Sequence, residues 1–150
     1  MKRILIAACL LFSAGLLFAQ TENPVSWSAS ARKTADRTYE IHLEADIKPG
    51  WHIYSQTTPE GGPIPTSISF RSNPLLSTEG GTKEVGNLEK HFEPLFGVDV
   101  KQFSNKVSFV QTVKLKASAK TSLHADVKFM VCNDKQCLPP KTIPFEIPLK

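Results

Sequence analysis

The chain has 150 residues, 41% of them hydrophobic and 21% charged, with a formal net charge of +4. This is the composition of a chain that buries a core, and it excludes disordered, collagen-like and polytopic membrane classes. Lys and Arg alternate with Asp and Glu and form no blocks. The basic balance therefore describes a solvated surface and leaves no footprint for nucleic acid.

The N-terminus sets the compartment. Met1-Lys2-Arg3 is positive, residues 4–18 are almost wholly apolar, and polar chain starts at Gln20 after Ala19. This is the plan of a cleaved secretory signal peptide, residues 1–19, leaving an exported mature domain of 20–150. The apolar run of about 15 residues is short for a membrane span of about 20. Ile6-Ala7-Ala8-Cys9 has lipobox-like residue types but almost no apolar region ahead of it, which makes a lipoprotein the lesser alternative. Cleavage removes Lys2 and Arg3, lowering the charge from +4 to +2, and removes one of three cysteines. Cys132 and Cys137 remain, and two close cysteines in an exported protein invite a disulfide.

In chain order, a short strand is predicted at 25–31. Residues 39–47 then alternate cleanly: Tyr39, Ile41, Leu43, Ala45 and Ile47 inward, with Glu40, His42, Glu44 and Asp46 outward. Short strands are predicted at 51–56 and 66–70, separated by the turn-rich loop TTPEGGPIP at 57–65. Residues 73–103 are weakly patterned and read as one long irregular stretch, the kind that is often functional. Within it, His91-Phe92-Glu93-Pro94-Leu95-Phe96-Gly97 is unusually apolar. Either Phe92 and Phe96 pack into the core, or the segment is a flap that covers something. Val107, Phe109, Val113 and Leu115 share a strand face that Gln111 interrupts. Ala125, Val127, Phe129 and Val131 mark a third clear strand. In the last, Ile143, Phe145, Ile147 and Leu149 alternate with Pro144, Glu146 and Pro148, so it is an edge strand or turns its alternate groups to solvent. No segment shows a capped helical stripe. About seven short strands suggest an all-β, immunoglobulin-like antiparallel β-sandwich, with a small antiparallel barrel as its rival.

The register of 125–132 places Cys132 opposite Val131, on the outer face at a strand end. Asn133-Asp134-Lys135-Gln136 has strong turn character. A hairpin there brings Cys132 and Cys137 opposite each other, within disulfide range. Closing so short a loop gains about 2 kcal/mol at most, whereas an exposed disulfide tends to be redox-active. A structural staple and a reversible redox pair both remain open on these grounds. Neither a helix N-terminus nor a basic cluster activates the thiols, so the pair fits a relay better than an independent oxidant.

Other chemistries find little support. His42, His52, His91 and His124 are scattered, and no metal-ligand spacing is present. No haem attachment motif or phosphate-binding loop occurs, and no cofactor is expected.

The segment VCNDKQCLPP, followed by an apolar strand, resembles the active-site segment of the N-terminal periplasmic domain of the thiol:disulfide interchange protein DsbD. Gly50-Trp51-His52-Ile53-Tyr54 resembles that family's Gly-aromatic-x-aliphatic-Tyr segment, and Leu95-Phe96-Gly97 its aromatic-Gly cap loop. The resemblance covers the mature chain in order. It implies an immunoglobulin-like sandwich that shuttles electrons by thiol–disulfide exchange, with Cys132 and Cys137 as the redox pair and Cys132 exposed to partners. It also implies Leu95, Phe96 and Gly97 as the cap, and His52 and Tyr54 as the site lining. The implied partners are thioredoxin-like domains. The donor is fed by a membrane-embedded protein; the acceptors are disulfide isomerases and cytochrome c maturation thioredoxins. This chain departs from the best-known members in a shorter loop between the cysteines and in Leu95-Phe96 where they carry two aromatics. A stand-alone, monomeric domain is expected, with its donor on another polypeptide. The rival reading is a sandwich-type binding module with a purely structural disulfide.

Overall fold

The computed structural model describes residues 23–150; the expected signal peptide at 1–19, Cys9 included, lies outside the described residues. Among the described residues every element is a strand: β1 (Val25–Ala35), β2 (Thr38–Ile47), β3 (His52–Tyr54), β4 (Ser67–Phe70), β5 (Leu76–Gly86), β6 (Glu89–Glu93), β7 (Val98–Ser104), β8 (Lys106–Leu115), β9 (Thr121–Phe129), β10 (Val131–Cys132) and β11 (Lys141–Leu149). They form three antiparallel sheets in the orders β1-β2-β8-β5, β10-β3-β7-β6 and β11-β9-β4. The first sheet is one layer of an immunoglobulin-like sandwich. The other two make the second layer, because the chain passes from β9 to β10 with a break only at Met130.

The core follows from the alternation. Ile41, Leu43 and Ala45 of β2 and Val107, Phe109 and Val113 of β8 are fully buried. They share one cluster with Leu123, Val127 and Phe129 of β9, Ile53 of β3 and Phe103 of β7. Trp27 stacks on Phe109 at 5.8 Å between ring centroids and leans on Phe129 at 5.2 Å. As its prolines require, β11 is an edge strand, paired on one side to β9, with Pro144 and Pro148 exposed.

The stretch 73–103 departs from the expectation of one irregular loop: it holds β5, β6 and β7. β5 and β6 are sheet edges, and nearly all their residues are solvent-facing, so no period-two pattern marks them. β5 also changes register between Glu79 and Lys83. Gln111 explains its own intrusion on the apolar face of β8. Its buried amide donates to the carbonyls of Glu79 (3.0 Å) and Gly80 (3.4 Å) and accepts from Thr82 Oγ1 (2.9 Å), satisfying the bulge.

Candidate functional site: a disulfide hairpin backed by a buried polar network

β10 ends at Cys132, where the chain turns. Asn133 Oδ1 accepts from the backbone N–H of Lys135 and Gln136, both at 2.9 Å, and Asn133 N–H donates to Gln136 O at 2.9 Å. This is a side-chain-mediated turn of the kind asparagine favours. Leu138 N–H donates to Val131 O at 2.9 Å on the other side of the cysteines. Cys132 and Cys137 thus face each other as an antiparallel bridge and form a disulfide with Cα atoms 4.0 Å apart.

The environment differs from expectation. Cys132 does lie opposite Val131, but it is not exposed: its accessibility is 0%, and Cys137 is the half-buried partner. The alternation holds, and the expected solvent side is buried. At this end of the sandwich both faces of the strand are covered. Val131 enters the main core, while Cys132 packs with Tyr54 and Val100, against Val98 and Met130.

Two segments flank that cluster. The loop 57–65 folds over β7 so closely that a Cβ at Gly62 would stand 2.8 Å from Val98 Cγ2. It is anchored where Thr58 Oγ1 donates to Lys101 O (2.6 Å) and where Thr66 N–H donates to Tyr54 O (3.2 Å). Glu84 of β5 ties down its start, accepting from Ser55 Oγ (2.8 Å) and Gln56 N–H (2.7 Å). The second segment is the β6–β7 hairpin, whose tip is Pro94-Leu95-Phe96-Gly97. Gly97 has φ +70°, the left-handed conformation that glycine adopts without a steric cost. Leu95 and Phe96 are 51% and 37% exposed, and Phe92 is 56% exposed, so neither Phe92 nor Phe96 is a core residue.

β3 lies between β10 and β7 and is buried on both faces. Ile53 points into the core; His52 and Tyr54 point to the disulfide side, and His52 is the cross-strand partner of Cys132. Tyr54 Oη donates to Glu93 Oε2 at 3.0 Å and lies 3.0 Å from His52 Nε2, which is 3.4 Å from the same carboxylate oxygen. A phenol that gives its hydrogen to the carboxylate accepts from histidine, which assigns the hydrogen to Nε2. Burial holds the His52 imidazole below its usual range, against the opposing pull of Glu93. Burial, reinforced by the Glu93 contact, holds the Tyr54 phenol protonated. Glu93, only 3% exposed, is the site residue that sequence reasoning missed. Its burial depends on Tyr54, 39 residues away, and no local pattern marks it. Among the described residues no group of three or more His, Cys, Asp or Glu side chains is arranged to hold a metal ion.

Fold and hairpin together define an immunoglobulin-like domain carrying one disulfide over a buried polar network. The family model described as "Thiol:disulfide interchange protein DsbD, N-terminal" matches residues 20–148, and the chain belongs to that family. Solved structures share the fold. The N-terminal periplasmic domain of ScsB from Proteus mirabilis superposes with a TM-score of 0.57 at 18% identity, covering 90% of this chain. The chain spans about half the length of that structure, 49%. The reduced DsbD N-terminal domain of Neisseria meningitidis gives a TM-score of 0.54 at 15% identity, over 81% of this chain and 83% of that one. A structure of the complex between the DsbD and PilB N-terminal domains of Neisseria meningitidis gives 0.54 at 12% identity, over 85% and 87%. No curated protein is significantly similar to the chain.

Proposed function

We propose that this domain relays reducing equivalents in the periplasm by reversible thiol–disulfide exchange at Cys132–Cys137. The donor is a thioredoxin-like domain linked to a membrane-embedded electron carrier. The acceptors are exported disulfide proteins: isomerases or cytochrome c maturation thioredoxins. The observation that carries the reading is the asymmetry of the pair, with Cys137 half-buried and Cys132 inaccessible. A donor thiolate reaches Cys137 Sγ; the Cys132–Cys137 bond breaks, and Cys132 leaves as a thiolate and takes up a proton. The donor's second cysteine, as thiolate, attacks the mixed disulfide, so the donor is oxidised and Cys137 is released reduced. The reverse sequence passes the two electrons to an acceptor. Cys137 therefore replaces Cys132 as the first point of attack. Leu95, Phe96 and Gly97 form the cap, with His52 and Tyr54 lining the site. The structure of the complex between the DsbD and PilB N-terminal domains supports docking of a protein domain on this fold.

A second reading has its own support. Burial of Cys132 also suits a structural staple in a binding module, worth about 2 kcal/mol for so short a loop. Trapping distinguishes the two. With a thioredoxin-like partner whose second cysteine is replaced by serine and whose first carries a thionitrobenzoate mixed disulfide, Cys132→Ala displaces thionitrobenzoate and accumulates a stable mixed disulfide through Cys137, and Cys137→Ala accumulates far less. Equal trapping by the two variants, or none, argues against the relay.

A further inference from the structure

Glu93 joins the tip of the β6–β7 hairpin to the buried face beside the disulfide. Its backbone carbonyl accepts from Phe96 N–H at 3.1 Å and Gly97 N–H at 2.8 Å, and its Oε1 accepts from Leu95 N–H at 3.4 Å. The other carboxylate oxygen accepts from Tyr54 Oη at 3.0 Å and lies 3.4 Å from His52 Nε2. One residue therefore shapes the turn and grips the strand next to Cys132. The apolar side chains at the tip hold it down weakly, since Leu95 and Phe96 are 51% and 37% exposed. A buried carboxylate stripped of its donors is costly, so the turn cannot swing away while Glu93 stays behind.

We propose that Glu93 is the latch of the cap: a positioning residue whose hydrogen bond to Tyr54 sets how often the Cys132–Cys137 disulfide opens to attack. Tyr54 and His52 are the fixed side of the latch, on a strand paired on both edges. The proposal deepens the exchange reading and rests on it for its purpose, and it is tested with a small thiol that needs no protein partner.

The test is the rate at which dithiothreitol reduces the oxidised, folded domain. Glu93→Ala should react about tenfold faster, the factor that loss of one charge-assisted hydrogen bond puts on an opening equilibrium. Gln111→Ala is the control. It weakens the fold at the β5 bulge and should leave the rate at the wild-type value. Glu93→Gln removes the charge but keeps an acceptor for Tyr54, so it should stay nearer wild type. That separates a latch from relief of repulsion towards the incoming thiolate. If Glu93→Ala does not fold, Tyr54→Phe takes its place against the same control. The proposal is overturned if the Glu93→Ala rate equals wild type, if Gln111→Ala is accelerated as much, or if Glu93→Gln matches Glu93→Ala. Failure of the relay would look different: no variant, wild type included, would exchange with thioredoxin-like partners, while the dithiothreitol rates would still rank as stated.

Discussion

Gly62→Ala is the sharpest probe of how the site is closed. The residue sits in the loop 57–65 with an ordinary backbone conformation, outside the positive-φ set, so alanine can adopt it. A more restricted unfolded chain would by itself stabilise the variant by about 0.4–1 kcal/mol. Space decides otherwise. The new Cβ would lie 2.8 Å from Val98 Cγ2, and ordinary contact begins at 3.4 Å, so loop and strand must part by the difference, about 0.6 Å. Val98 is β-branched and stiff at χ1, and its strand is held by pairing with β6 and β3. The loop has to move, at an overpacking cost of about 1–3 kcal/mol. The balance is a net destabilisation of about 1–2 kcal/mol. In a domain of this size that lowers Tm by about 5 °C. Urea unfolding followed by tryptophan fluorescence measures it. In a Val98→Ala background the same substitution should be neutral or stabilising, giving a coupling of about 1 kcal/mol or more. A Gly62→Ala protein as stable as wild type would refute the argument that this loop presses on β7 beside the cysteine cluster.

Two further outcomes concern the site itself. Phe96→Ala should speed reduction of the disulfide by small thiols, but by less than Glu93→Ala, because Phe96 is already 37% exposed; unchanged kinetics would remove Phe96 from the cap. His52 gives a pH dependence with a definite sign. Its folded-state pKa lies below its ordinary value because burial disfavours the imidazolium. Below about pH 6.5 the unfolded chain therefore binds a proton that the folded one resists, and stability falls as pH drops. His52→Gln should flatten the change in unfolding free energy between about pH 7.5 and 5.5 relative to wild type; identical profiles would contradict it.

Much of the sandwich was legible because its central strands have one wet face. The β2 alternation from Tyr39 to Ile47 and the prolines of β11 each state their burial or edge position locally. The hairpin was legible too, since Asn133-Asp134-Lys135-Gln136 turns the chain by side-chain chemistry that needs nothing distant. What could not be read depends on tertiary contact. β5 and β6 show no alternation because, at sheet edges, nearly all their residues meet water. Cys132 follows the expected alternation, yet whether its face meets water depends on Tyr54 and Val100, which pack on it from other strands. Glu93 carries a charge that reads as exposed until Tyr54 and His52 are brought to it from another strand.

The reduction potential of the Cys132–Cys137 pair, measured by equilibration in glutathione or dithiothreitol buffers, tests the central claim most directly. A relay requires a value between about −180 and −270 mV, where exchange proteins operate. A value well below about −300 mV would mark the bond as a structural staple and contradict the proposed function.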